Sequence, residues 1–130
     1  MSPFDPLLDK IEQVMKREHP FDLEAYRFVM DALHFTVSTL EKQRHITGCE
    51  LLEGIRQYAL REYGPYARTV LNYWGVNQTE NFGQMVFDLV EAGILRKQPG
   101  DKIEDFKKIY DFKKVFDQYY EFKEEEEASS

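Results

Sequence analysis

The sequence predicts a mostly α-helical chain with one small β hairpin (an α+β fold), helical in its N-terminal half and winged-helix-like in its second half. Apolar residues recur at spacings of three and four along most of the 130 residues, which predicts amphipathic helices. Capping residues, glycines and prolines stand where these apolar stripes begin and end. The hairpin is predicted by Pro99 and Gly100, a turn signal between two short apolar segments. Because 130 residues is the usual size of one domain and the sequence contains no convincing linker, we expect a single domain over residues 1–123, and its 42% hydrophobic residues are enough for a core.

Two helices are expected before residue 45. The first begins at Ser2 or Asp5 as N-cap, and the residue before Pro20 ends it, since that position avoids the helical region. Its apolar stripe consists of Leu7, Leu8, Ile11, Val14 and Met15. The second helix begins after Asp22 and runs to about Lys42. Its expected buried face consists of Tyr26, Val29, Met30, Leu33, Val37 and Leu40.

The winged-helix-like part covers about residues 46–112. Thr47 and Glu50 form a capping box at the start of a helix that Gly64 and Pro65 end. Pro65 opens a short helix over residues 66–74, and Asn77 or Thr79 caps the next one, which stops at Gly93. The apolar positions of that last helix are Phe82, Met85, Val86, Leu89 and Val90.

The pattern changes to β at residues 94–98, the first predicted strand. After the Pro99–Gly100 turn, residues 103–112 are predicted as the returning strand, although Ile103, Phe106 and Ile109 also fit a helical stripe. Asp111 is placed to cap a final helix. Residues 124–130 contain four consecutive glutamates and are expected to form a disordered acidic tail.

Three helices followed by a hairpin are the order of elements in winged-helix domains, which bind either nucleic acid or protein. In this arrangement the helix over residues 79–92 is the recognition helix and the Pro99–Gly100 hairpin is the wing. Nucleic-acid binding would use five of their polar or basic side chains: Asn81, Gln84, Arg96, Lys97 and Lys102. However, the recognition helix has no basic residue, and Glu80 and Asp88 would face phosphates unfavourably. The net charge of −7 also opposes binding to a polyanion. Nucleic-acid binding is therefore the alternative function.

The leading prediction is a non-enzymatic protein-interaction module that binds another protein or a second copy of itself. Ten Phe, eight Tyr and one Trp are more rings than a core of this size needs, and exposed aromatic side chains favour protein contacts. The expected interaction surface consists of Tyr73, Trp74, Tyr119, Tyr120 and Phe122. An enzyme with an unrecognised site is the third hypothesis.

No cofactor and no metal ion is expected. The three histidines, His19, His34 and His45, do not share a helical spacing, and Cys49 is the single cysteine. The chain has no secretion signal and no apolar run long enough for a membrane span, so we expect a cytoplasmic protein without membrane contact. Gly54 and Gly83 stand inside predicted helices, where glycine is unfavourable, which predicts close contact with a partner helix.

Several sequence motifs resemble those of an uncharacterised family of small bacterial proteins, about 130 residues long and restricted to Planctomycetes, Verrucomicrobia and relatives. The motifs are EAYRFV at 24–29, DAL at 31–33, ITGCELLEGIR at 46–56, YAL at 58–60, GPYARTVL at 64–71, WGV at 74–76, TENFG at 79–83 and VFDLVEAG at 86–93. The similarity covers about residues 21–116. It implies a bacterial cytoplasmic protein of unknown function, and it supplies no catalytic residues that could be assigned to this chain.

Overall fold

A computed structural model describes residues 21–117. Its four α-helices are α1 (Leu23–Ser38), α2 (Gly48–Tyr63), α3 (Ala67–Tyr73) and α4 (Thr79–Glu91). Three single turns complete the described elements: 3₁₀ turns at Gly64–Tyr66 and Ile103–Phe106, and a π-helical turn at Lys113–Asp117. The predicted helix before Pro20, Tyr119, Tyr120, Phe122 and the acidic tail lie outside the described residues.

Residues 21–117 contain no β-strand, so the predicted hairpin and the winged-helix-like arrangement are both wrong. Only the turn itself forms: the Asp101 N–H donates to the Gln98 carbonyl oxygen over 3.0 Å. The chain then enters the 3₁₀ turn at Ile103–Phe106 instead of returning as a strand. The physical reason is Phe106, whose buried ring packs against α2 and α4 and holds this segment on the helices.

The predicted helix starts at Asp22 and Thr47 are confirmed. The Asp22 carboxylate accepts the Glu24 N–H at 2.9 Å. Thr47 and Glu50 form the complete capping box. The Thr47 hydroxyl accepts the Glu50 N–H at 3.1 Å, and the Glu50 carboxylate accepts the Thr47 N–H at 3.0 Å. These bonds satisfy backbone donors that a helix leaves free at its start.

Helix α1 ends at Ser38, before the predicted position near Lys42. The hydroxyls of Ser38 and Thr39 donate to the carbonyl oxygens of Phe35 and Thr36, both at 2.7 Å. Such local side-chain bonds compete with the continuation of a helix. They explain why the chain leaves the helix here although apolar residues continue to Leu40.

Two of the glycines inside helices allow other parts of the chain to approach. Gly54 of α2 lies against Thr36 of α1, so the predicted contact with a partner helix is confirmed. Gly83 of α4 lies against the Phe106 side chain, and therefore contacts a ring from the 3₁₀ turn rather than a helix. The first residue of α2, Gly48, contacts the same ring, which joins α2 to α4.

The core lies between these four helices. Its largest fully buried side chains are those of Tyr26, Phe82, Phe116, Leu52, Ile55, Leu71, Met85 and Leu89. A buried polar bond crosses it: the Tyr26 hydroxyl of α1 donates to the Asp88 carboxylate of α4 over 2.8 Å. Burial, followed by this bond, raises the pKa of Tyr26 well above its ordinary value. The pair therefore holds α1 and α4 together.

Candidate functional site

A groove with a volume of about 400 Å³ opens beside the core. Its lining comes from the second half of α1, the connection to α2, the first turns of α2, the second half of α4 and the segment 95–106. A pocket of this volume lies within the range that ligands and partner side chains occupy, roughly 300–1,000 Å³. The groove is the candidate functional site.

The lining of the groove is mainly apolar, and most of its apolar side chains are only half-buried. They are Leu33, Val37, Ile46, Val86, Phe87, Val90 and Leu95. Leu33 and Val37 are four residues apart on α1, and Val86 and Val90 have the same spacing on α4. Each pair therefore forms one ridge along its helix. Helical periodicity assigns both pairs to a core. In the structure all four side chains are only partly buried and line the groove, although Leu33 and Val86 also pack against the core.

The rim of the groove carries charged side chains. Arg44, Arg96 and Lys97 bring positive charge, and Asp101 and Asp105 bring negative charge. The imidazoles of the exposed His34 and His45 also line it.

The acidic side chains of the rim are engaged in local structure. Asp101 accepts the Gln98 N–H at 2.9 Å, and Asp105 accepts the Lys102 N–H at 3.1 Å. Each carboxylate thereby holds a turn of the segment that forms one side of the groove. We infer that their role is to shape this segment.

Arg44 is also engaged. Its guanidinium donates two hydrogen bonds to the Glu50 carboxylate, at 3.0 and 2.6 Å. These bonds, together with the Thr47 N–H, lower the pKa of Glu50 to about 2. Arg44 therefore ties the connection before α2 to the α2 capping box.

Arg96 and Lys97 remain as the available cations of the rim. Both side chains are exposed. Lys97 makes a long bond of 3.4 Å to the Gln98 carbonyl oxygen, and neither residue forms an ion pair with any residue in 21–117. They were predicted as wing residues for nucleic acid, whereas the structure places them at the edge of an apolar groove.

The other predicted nucleic-acid residues do not form one surface with them. The Asn81 side-chain oxygen accepts the N–H groups of Asn77 and Gln78, at 2.9 and 3.1 Å, and its amide donates to Gln84. Asn81 and Gln84 therefore serve the start of α4. Lys102 is exposed and is not part of the groove lining.

The predicted aromatic interaction surface is described only in part. Tyr73 is 84% exposed at the end of α3, and Tyr66, also on the surface, lies seven residues before it. Trp74 is half-buried, with its ring 5.7 Å from Phe28 and 5.8 Å from Tyr63. Because Tyr119, Tyr120 and Phe122 lie outside the described residues, this surface stays a prediction.

The described residues include no group of three or more His, Cys, Asp or Glu side chains placed to hold a metal ion. Cys49 is exposed, and its sulfur lies 3.7 Å from the Asp105 carbonyl oxygen. Within residues 21–117, no helix is both long and apolar enough to cross a bilayer.

The apolar pattern of the sequence did not reveal the groove. It assigned Leu33 and Val37 to the buried face of their helix, and Val86 and Val90 to the apolar stripe of theirs. A signal was present in α1, where Phe28 and Phe35 lie off the predicted stripe and widen its apolar surface. Apolar side chains therefore surround more of α1 than one packed face requires.

Comparison with known proteins found no match: no family model fits the chain, and neither a curated protein nor a solved structure is similar to it.

Proposed function

We propose that this chain is a non-enzymatic protein-interaction module and that the groove is its binding site. The observation that carries the proposal is the incomplete burial of two aliphatic ridges that line one groove, Leu33 with Val37 and Val86 with Val90. Grouped apolar side chains on a surface are unfavourable in water and mark binding sites. A partner that covers them gains roughly 25 cal/mol for each Å² of apolar surface removed from water.

The walls of the groove are held in place before a partner arrives. The Tyr26–Asp88 bond fixes α1 against α4, the Arg44–Glu50 pair fixes the approach to α2, and the Phe106 ring fixes the segment 95–106. A site that is already formed loses little conformational entropy on binding. This favours a permanent recognition surface.

We also propose that the protein is bacterial and cytoplasmic. The support is the resemblance of the sequence motifs to those of a family of small bacterial proteins. The single cysteine agrees with a reducing compartment.

The test is affinity capture of the tagged full-length chain from its native cell at moderate salt, with nuclease treatment and mass spectrometry. Val90→Ser places a hydroxyl in the groove, and Ile109→Ser is the control, because Ile109 is 42% exposed and lies outside the groove. Thermal unfolding first establishes that both variants fold.

We expect a stoichiometric protein partner to be captured by the wild type and by Ile109→Ser, and to be lost with Val90→Ser. A partner that Val90→Ser retains would place the binding site elsewhere, for example at Tyr73 and Trp74. Nucleic acid that disappears with nuclease, in place of a protein partner, would contradict the proposal.

A further inference from the structure

We infer that the groove binds an amphipathic α-helix of a partner protein, with acidic residues where that helix meets Arg96 and Lys97. This inference rests on the proposed function, because it specifies the partner of the same groove. Three features carry it: the backbone bonding of the groove walls, the spacing of the apolar ridges and the charge of the rim.

The first feature is the backbone of the walls. Residues 21–117 contain no strand, so the groove offers no described sheet edge that could pair with an extended peptide. An extended partner would then bury backbone N–H and C=O groups without bonds, which is costly. A helix satisfies these groups internally and needs only an apolar face, so a helix is the secondary structure that this groove favours.

The second feature is the spacing of the ridges. Leu33 with Val37 and Val86 with Val90 are both i, i+4 pairs on helices that contribute to one groove. Rows of side chains at this spacing pack into the grooves between the corresponding rows of another helix. The apolar residues of the partner should therefore recur at positions i, i+3, i+4 and i+7.

The third feature is charge complementarity. The chain carries a net charge of −7, yet Arg96 and Lys97 stand exposed at the rim without an ion pair to any described residue. The carboxylates of Asp101 and Asp105 keep their negative charge, but each is bonded to a backbone N–H of its own turn and forms no ion pair with Arg96 or Lys97. Glutamates or aspartates on the partner would supply the missing counter-charges, whereas lysines there would be repelled.

The test uses a pair of synthetic helical peptides with identical leucines at positions i, i+3, i+4 and i+7. One peptide ends in two glutamates and the other in two lysines, and fluorescence anisotropy measures the Kd of each for the full-length chain at low and at physiological salt. The key variant is Arg96→Glu/Lys97→Glu. Lys113→Glu/Lys114→Glu is the matched control, because it reverses two adjacent exposed lysines outside the groove.

We expect the wild type to bind the acidic peptide about fivefold more tightly than the basic one, a difference of about 1 kcal/mol. This is the size expected of two exposed ion pairs, and it should shrink as salt rises. Arg96→Glu/Lys97→Glu should reverse the preference, and the control should keep it. Val90→Ser should weaken the binding of both peptides without changing the ratio of their Kd values.

An unchanged preference in Arg96→Glu/Lys97→Glu, or failure of the wild type to bind either peptide, would overturn the inference. Sedimentation of the chain alone is measured in parallel, and a dimer that Val90→Ser dissociates would make the occupant a second copy instead. A small anionic molecule that native mass spectrometry finds bound to the groove would overturn it as well.

The inference and the proposed function can fail separately. If capture from the native cell depends on Val90 but the peptides show no charge preference, only the acidic helix is wrong. If capture does not depend on Val90, the groove is not the binding site of a protein partner.

Discussion

Gly54→Ala tests the contact between α1 and α2 with a single added methyl group. A Cβ atom at residue 54 would lie 1.7 Å from the Thr36 Oγ1 and 2.8 Å from the Thr36 Cβ. Rotation of the Thr36 side chain moves its Oγ1, which now donates to the Ala32 carbonyl oxygen at 2.7 Å. The same rotation leaves the Thr36 Cβ in place. We therefore expect α1 and α2 to move apart.

Two effects of opposite sign set the magnitude. Alanine is favoured over glycine inside a helix by about 1 kcal/mol. Overpacking of a well-packed core costs about 1–3 kcal/mol, and the upper part of this range applies because both Cβ atoms are fixed to helix backbones. The free energy of unfolding of Gly54→Ala should thus fall by about 1–2 kcal/mol. For a chain of this length, the Tm should fall by about 4–10 °C.

The assay is thermal unfolding followed by circular dichroism, together with urea unfolding. Gly100→Ala is the control, because apart from its chain neighbours no residue comes within 4 Å of a Cβ at that position. Its stability should stay within about 0.5 kcal/mol of the wild type. In a Thr36→Ala background, Gly54→Ala should lower the free energy of unfolding by less, because the closest contact, with the Thr36 Oγ1, has been removed. A Tm for Gly54→Ala at or above that of the wild type would refute the described packing of α1 on α2.

Three further predictions concern the capping pair, the Phe106 ring and the acidic tail. The pKa of Glu50, lowered from 4.5 to about 2, makes its pairing with Arg44 stabilising above about pH 5 and progressively weaker as the pH falls towards 2. Glu50→Gln should therefore lower the Tm more at pH 6 than at pH 3, and an equal decrease at both pH values would contradict this. Phe106→Ala should lower the free energy of unfolding by about 3–5 kcal/mol in urea, whereas Ile103→Ala, exposed in the same turn, should change it by less than about 1 kcal/mol. Deletion of residues 124–130 should leave the Tm within about 2 °C of the full chain, and loss of cooperative unfolding would show that this segment contributes to the core.

The sequence predicted the helices well where local chemistry determines them. The capping interactions of Asp22 and Thr47, and the stop at Gly64, depend on residues within a few positions of each other. Asp111 likewise accepts the Lys114 N–H at 3.1 Å and begins a helical turn, as predicted. These signals do not require knowledge of the rest of the chain.

The hairpin was predicted wrongly because local chemistry does not determine residues 94–110. The Pro99–Gly100 turn is real, but the path of the chain beyond it depends on distant partners. Phe106 enters the space left by glycines of two other helices, and the Ile109 N–H donates to the Thr79 hydroxyl at 3.2 Å. No pattern within the segment encodes these contacts. The candidate site was missed for a related reason, since apolar periodicity does not distinguish a covered ridge from an open one.

The position of the Phe106 ring between α2 and α4 also has a consequence for the order of folding. Helices α1 and α2 follow one another along the chain, so their contact at Thr36 and Gly54 closes a short loop. The contact of the Phe106 ring with Gly48 and the bond from the Tyr110 hydroxyl to the Leu52 carbonyl oxygen each join residues 58 positions apart, so they close much longer loops. Loop closure over greater separations costs more entropy. We therefore expect the α1–α2 pair to form first and the segment 95–110 to join last, so that the groove becomes complete only in the final step of folding.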